Sequence, residues 1–182
     1  MARLSDLNAD NFTAEQRVAR AEIAGSRGGV ARGPFSVWLR TPRIAVAASR
    51  FGDALRVDGQ LDRRLFELAT LVAAAHWKAA YPWAAHEQAA VDQGIDPQAV
   101  EAIRTGGSPV FARDDEQLVY DVGFELMTTG TLSEESYRRA LSVLGTDLLI
   151  EVVTTVAFYG VAAAVSNAFD VDVPDGKTPF SS

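Results

Sequence analysis

Residues 61–94 read LDRRLFELATLVAAAHWKAAYPWAAHEQAAVDQG. Apolar residues fall at 61, 65, 68, 71, 72 and 75, the spacing of one stripe along an α-helix. This predicts a helix from Leu61 to about Ala79. Pro82 begins or sharply bends the next segment, and a second helical run continues to Gly94. Two helices joined at the AAYP bend form an antiparallel hairpin.

The same period extends outward in both directions. Thr13 followed by Gln16 is a capping box, and the helix it opens is expected to stop at Gly28-Gly29. Residues 29–34 read as a loop, Pro34 opens a short segment, and Pro42 sits where a first-turn proline belongs ahead of IAVAASRFGDALRV. Asp96-Pro97 starts a short helix closed by Gly106-Gly107, and residues 113–129 form an amphipathic helix ending at Gly130. Ser133, with Ser136 in the place of a glutamate, caps a helix that ends at Gly145. A long helix runs from Asp147 to about Phe169, and a turn-rich tail closes the chain. No run alternates with period two for long enough to make a strand, so the fold class is all-α.

The long helix is apolar enough to raise the question of a membrane. Val152–Phe169 carries no formal charge over 18 residues. Thr154, Thr155, Tyr159, Gly160, Ser166 and Asn167 interrupt it, so it reads as a buried helix rather than a membrane span. No apolar leader opens the chain, and the expected location is cytoplasmic, away from any membrane.

Composition removes much chemistry. The 182 residues include no cysteine and two histidines, His76 and His86. Disulfides, thiol nucleophiles, zinc ribbons and iron–sulfur clusters are therefore excluded, and no metal or organic cofactor is expected. The net charge of −7 argues against nucleic acid as a partner. The charge is uneven: residues 1–64 hold 11 basic and 7 acidic groups, residues 65–182 hold 6 and 17. Either two complementary faces meet, within or between subunits, or the arginines wall a site for a small anion.

Chemistry-bearing side chains are densest over residues 63–88. Glu67 lies among Leu65, Phe66, Leu68 and Leu71, and a carboxylate entering a core needs a partner or must keep its proton. One reading pairs it with Arg63, one turn earlier, on a wet edge of the stripe. The other sets it beside a histidine for acid/base work. His86 comes one turn after Pro82, and a tight hairpin brings it level with Glu67. His86-Glu87 lacks the second histidine of a zinc-protease helix, and no phosphate loop, dinucleotide fingerprint or nucleophile elbow is present. Trp77, Tyr81 and Trp83 read first as core and interface aromatics.

The ordered set Leu65-Phe66-Glu67-Leu68-Ala69, His76-Trp77, Tyr81-Pro82-Trp83-Ala84-Ala85-His86, Ala89 and Gly94 resembles the carboxymuconolactone decarboxylase family, within the alkylhydroperoxidase D-like superfamily. Gly33-Pro34-Phe35, Arg50, Gly52, Arg56, Glu151, Tyr159 and Asn167-Ala168-Phe169 extend the likeness over about Gly33 to Val173. The chain is accordingly read as a single domain over 1–182: a helix and loop over 1–32, the family-like core over about 33–173, and a tail over 174–182.

The resemblance implies an all-helical fold that builds trimers, hexamers or related rings. It also implies two chemistries. The peroxidase branch uses a Cys-x-x-Cys pair with an upstream glutamate and a histidine four residues after the second cysteine. Aligned on His86, the cysteine positions fall at Ala79 and Pro82, so thiol-based peroxide reduction is closed to this chain. Decarboxylase-type members need no thiol, although relatives with this signature often read Tyr-Glu-Trp where Tyr81-Pro82-Trp83 stands. The expectation is a cofactor-independent lyase for a small carboxylated or lactone substrate. His86 would serve as general acid/base, Glu67 as its partner and His76 as a secondary polar group. Arg50, Arg56, Tyr81 and Trp83 are the substrate-binding candidates. The alternative is a non-catalytic binding or structural homo-oligomer of the same fold. A homo-oligomer, trimer or hexamer, is expected in either case.

Overall fold

The computed structural model describes residues 3–5, 7–26 and 32–180, with Pro174 described for its backbone alone. Eight helices account for its architecture: α1 (Ala14–Ser26), α2 (Pro34–Trp38), α3 (Pro42–Arg56), α4 (Arg63–His76), α5 (Ala80–Asp92), α6 (Pro97–Thr105), α7 (Asp114–Thr129) and α8 (Glu134–Ala168). No strand occurs among the described residues. The punctuation read from the sequence sets most boundaries. Thr13 and Gln16 exchange backbone-to-side-chain hydrogen bonds at 2.9 and 3.1 Å. Asp62, Asp96 and Ser133 cap α4, α6 and α8 through their side chains, and Gly106 and Gly130 end α6 and α7 in the left-handed conformation. The expected stop at Gly28-Gly29 lies outside the described residues.

α8 is where the expectation of two helices meets one continuous element. Gly145 breaks it with φ 75° and ψ 175°, a conformation that favours glycine. The break separates an outer arm over 134–144 from the long apolar arm over 146–168, as the sequence implied.

α4 is the central rod, and it starts two residues later and stops three earlier than its apolar stripe suggests. Every residue from Arg64 to Ala74 is buried. α5, α7 and α8 surround it, with Leu68, Leu71, Trp83, Val119, Val122, Val152 and Val156 filling the shared core. Each fully buried leucine there contributes about 1.5–3 kcal/mol of transfer free energy. A second apolar cluster, Phe12, Ile23, Phe35, Trp38, Leu39 and Ala45 with Ala162, packs α1–α3 against the far end of α8.

α8 is long and apolar enough to cross a bilayer by length and composition, yet half of that window is buried inside the fold. It behaves as a core helix whose remaining face is exposed, with Ile150 and Val161 on the surface; Ile44, Phe51 and Val57 of α3 and its end are exposed as well. The uneven charge is resolved partly within the chain. Arg64, from the basic part of the chain, reaches Glu116 at 2.6 Å and Asp115 at 2.8 Å in the acidic part.

Candidate functional site

The site begins with the corner between α4 and α5. After His76 the chain turns through Trp77 and Lys78, with Lys78 N–H bonded to the Ala75 carbonyl and Ala79 N–H to the Ala74 carbonyl, both at 2.9 Å. Lys78 has φ 46°, in the left-handed position that such a turn needs at a helix end. Asn167 on α8 donates from Nδ2 to the Trp77 carbonyl at 2.7 Å and ties the corner down. The returning helix then carries Pro82 in its first turn and lays His86 alongside the middle of α4.

Glu67 is fully buried, and each of its carboxylate oxygens meets a different partner. Oε2 lies 2.6 Å from Nδ1 of His86. Oε1 lies 2.6 Å from Nη2 of Arg63, an ion pair whose angle falls outside hydrogen-bond alignment. Both partners that the sequence offered for Glu67 are therefore met at once, but the carboxylate lies in the core and not on a wet edge of the stripe. An ionised carboxylate only accepts, so Nδ1 carries the hydrogen toward Glu67 and Nε2 is left for other chemistry. The His86 side chain is 17% exposed, so the pair runs from the core to the surface.

Tyr159 of α8 completes the surround, meeting the His86 ring edge-on at 4.9 Å and the Phe66 ring at 5.7 Å. Arg63 in turn sits 4.9 Å over the Phe66 ring. In the sequence Tyr159 stands out as a polar interruption of an apolar helix and as one of the residues that extend the family likeness. Its meeting with His86 depends on how α8 packs, which no local pattern encodes.

The other sequence-derived candidates lie elsewhere. His76 is exposed and lines a groove that neither Glu67 nor His86 enters. Nine residues separate it from Glu67, about two and a half helical turns, which puts the two on opposite sides of α4. Arg50 pairs with Glu22 of α1 at 2.7 Å, and Arg56 lies 3.4 Å from Asp53 on its own helix. Tyr81 is half-buried with its ring against Gly33, where a Cβ would fall 2.0 Å from the ring and where φ of 61° also favours glycine. Burial pushes the Tyr81 hydroxyl pKa up, and the charge of Arg32 opposes the shift. Trp83 is fully buried and meets Phe180 edge-on at 5.4 Å. Ala79 and Pro82, the positions where the peroxidase branch would carry thiols, are both buried. Among the described residues no three His, Cys, Asp or Glu side chains gather in a metal-holding group.

The model of the carboxymuconolactone decarboxylase family matches residues 42–114, from the start of α3 to the start of α7, and so spans Glu67 and His86. Over these residues the chain is similar to the carboxymuconolactone decarboxylase family. No curated protein matches the sequence. Solved structures show how far the likeness of fold extends. An alkylhydroperoxidase AhpD core protein from Ralstonia eutropha JMP134, described as an uncharacterized peroxidase-related protein, is 16% identical with a TM-score of 0.77, covering 99% of this chain and 97% of that one. An uncharacterized peroxidase-related protein from Silicibacter sp. TM1040 is 17% identical with a TM-score of 0.71, covering 93% and 90%. A cysteine-to-alanine variant of the debrominase Bmp8 in complex with 2,3,4-tribromopyrrole is 14% identical with a TM-score of 0.74, covering 97% and 95%. The chain thus combines an AhpD-like fold with the absence of any cysteine.

Proposed function

We propose that the chain is a cofactor-independent, decarboxylase-type lyase acting on a small carboxylated or lactone substrate. The observation that carries this reading is the 2.6 Å contact between buried Glu67 and partly exposed His86. Glu67 accepts from Nδ1 and fixes the ring, which leaves Nε2 to give up and regain a proton. In the reaction, the bond between the substrate carbon and its carboxylate breaks and CO2 leaves. The electron pair enters the conjugated lactone as an enolate, and a proton from His86 Nε2 quenches the carbanion. Water then reprotonates the imidazole. Arg63 holds the second oxygen of Glu67 and keeps the carboxylate facing the ring.

The protein is further read as a homo-oligomer, trimer or hexamer. Its support is the exposure of the apolar side chains Ile44, Phe51 and Val57 on α3 and its end and of Ile150 and Val161 on α8. Light scattering at micromolar concentration is expected to give a multiple of the chain mass, and a monomer would overturn it.

The activity is tested by measuring CO2 release from unsaturated carboxylated lactones. His86→Ala and Glu67→Gln are each expected to lose about 10²-fold or more. Full activity in both variants would remove the roles assigned. A second reading, a ligand-binding or structural homo-oligomer, is favoured by Pro82, which is buried and adds no ionisable group next to the pair. It is the better account if no lactone releases CO2 while a small acid raises the Tm of the wild type and not of His86→Ala.

A further inference from the structure

The groove lined by His76 carries chemistry that the Glu67–His86 pair does not use. It encloses about 900 Å³ between the α4–α5 corner, the end of α6, one face of α7 and Phe180 of the tail. That volume lies within the range of small-molecule sites.

Its walls combine an open aromatic surface with an unbalanced charge. Tyr120 and Phe124 of α7 stack with ring centroids 5.6 Å apart and planes 21° from parallel. Phe124 is nonetheless 51% exposed. An aromatic side chain left wet on a concave surface is suited to covering by a flat apolar ligand.

The charge is more telling. Residues 65–182 hold six basic groups. Arg104, Arg113, Arg138 and Arg139 are each paired, with Glu101, Asp115, Glu134 and Asp121. Among the described residues, Lys78 and Lys177 have no such partner, and of these Lys78 lines the groove. The groove's own carboxylate, Asp121, is already held by Gln117 at 2.8 Å and Arg139 at 3.1 Å. Arg104 is likewise occupied by Glu101 and by the Pro179 carbonyl. Lys78 is left as the cation without a counter-charge, next to the imidazole of His76.

The backbone adds a second observation. Lys78 occupies the left-handed position of the α4 C-terminal turn, where glycine is the residue of least strain. A lysine kept there places an amine over the groove at a conformational cost that glycine avoids.

We propose that this groove binds a small aromatic carboxylate, its ring against Phe124 and Tyr120 and its carboxylate on Lys78 beside His76. Binding is non-covalent and stands apart from the lyase reading. The test is calorimetric titration of the full chain with benzoate and with benzamide, its neutral counterpart of the same shape. Benzoate is expected to fill a single site per chain and to bind about tenfold or more tightly than benzamide.

Lys78→Gly relieves the backbone, so its Tm is expected to equal or exceed that of the wild type while its benzoate affinity falls about tenfold. Lys78→Asn, which tolerates the same conformation, is expected to match it. His86→Ala is expected to leave benzoate binding unchanged, so loss of lyase activity and loss of this site are told apart. Equal affinity for benzoate and benzamide overturns the proposal. So does unaltered binding by both Lys78 variants, an affinity loss in His86→Ala as large as theirs, or no heat at about 10 mM benzoate.

Discussion

Arg63 and Arg64 are neighbours in sequence and opposites in setting. Each reaches a buried carboxylate. Arg63 is 42% exposed on its side chain and meets Glu67, whose other oxygen holds a histidine. Arg64 is 10% exposed and meets Glu116 and Asp115, with Arg113 bridging to Asp115 from outside. One step along a helix rotates a side chain by about 100°, enough to send the two arginines to different seams of the bundle. The Arg64 cluster contains only groups whose charge is fixed near neutrality, so it serves as a clamp between α4 and α7. The Arg63 side includes an imidazole, the group on which the proposed acid/base chemistry turns. Buried ion pairs on one helix can thus serve architecture or acid/base chemistry, and the titratable member decides which.

The largest effect is expected at Arg64. Arg64→Met strands Glu116 and much of Asp115 in the interior. It is expected to cost about 3–5 kcal/mol in urea denaturation. A loss below about 1 kcal/mol would mean that the cluster is not a clamp.

The next largest effect is a pH dependence. Burial pushes the Asp115 carboxyl up, and hydrogen bonds and charge from Arg113 and Arg64 outweigh it and hold it at about 2 against an ordinary 3.8. A carboxyl depressed in the folded state stabilises the fold above its unfolded value and loses that contribution as pH falls through the folded one. Stability is therefore expected to fall by about 2 kcal/mol between roughly pH 4 and pH 2 on this account. Asp115→Asn should flatten that part of a denaturation-versus-pH series. An unchanged slope would assign the acid loss to other carboxylates.

The smallest effect falls on Arg63. Arg63→Met is expected to cost about 1 kcal/mol or less, because its side chain is half in water. Its signature should instead be a shifted pH–rate profile for CO2 release, since the charge beside Glu67 is gone. If Arg63→Met destabilises as strongly as Arg64→Met with no change in that profile, the two arginines have the same role.

Local signals make most of the fold legible in the sequence. The Thr13–Gln16 capping box, Pro42, Asp96-Pro97, Gly130 and the break at Gly145 are short-range devices, and each acts where it stands. The Glu67–His86 pairing was also accessible, because a hairpin of two helices brings residues 19 apart level with each other. What stayed hidden depends on packing between distant elements. Arg64 and Glu116 are 52 residues apart, and nothing in either neighbourhood names the other. Tyr159 meets His86 through the rotation of α8, and His76 turns away because of its phase on α4. The groove required the tail, the end of α6 and one face of α7 to meet.

Glu151 in the middle of α8 gives the molecule an order of assembly. Its carboxylate accepts hydrogen bonds from the backbone N–H groups of Gln60 and Leu61 at 2.7–3.0 Å, securing the turn that launches α4 from a point about 90 residues further along the chain. During synthesis, α4 leaves the ribosome long before the helix that fastens and covers it. Eleven consecutive residues, Arg64 to Ala74, must wait without their final neighbours until the last helix arrives. Fragments ending before α8 are accordingly expected to remain unfinished and prone to aggregate, and folding is completed only at the C-terminal end.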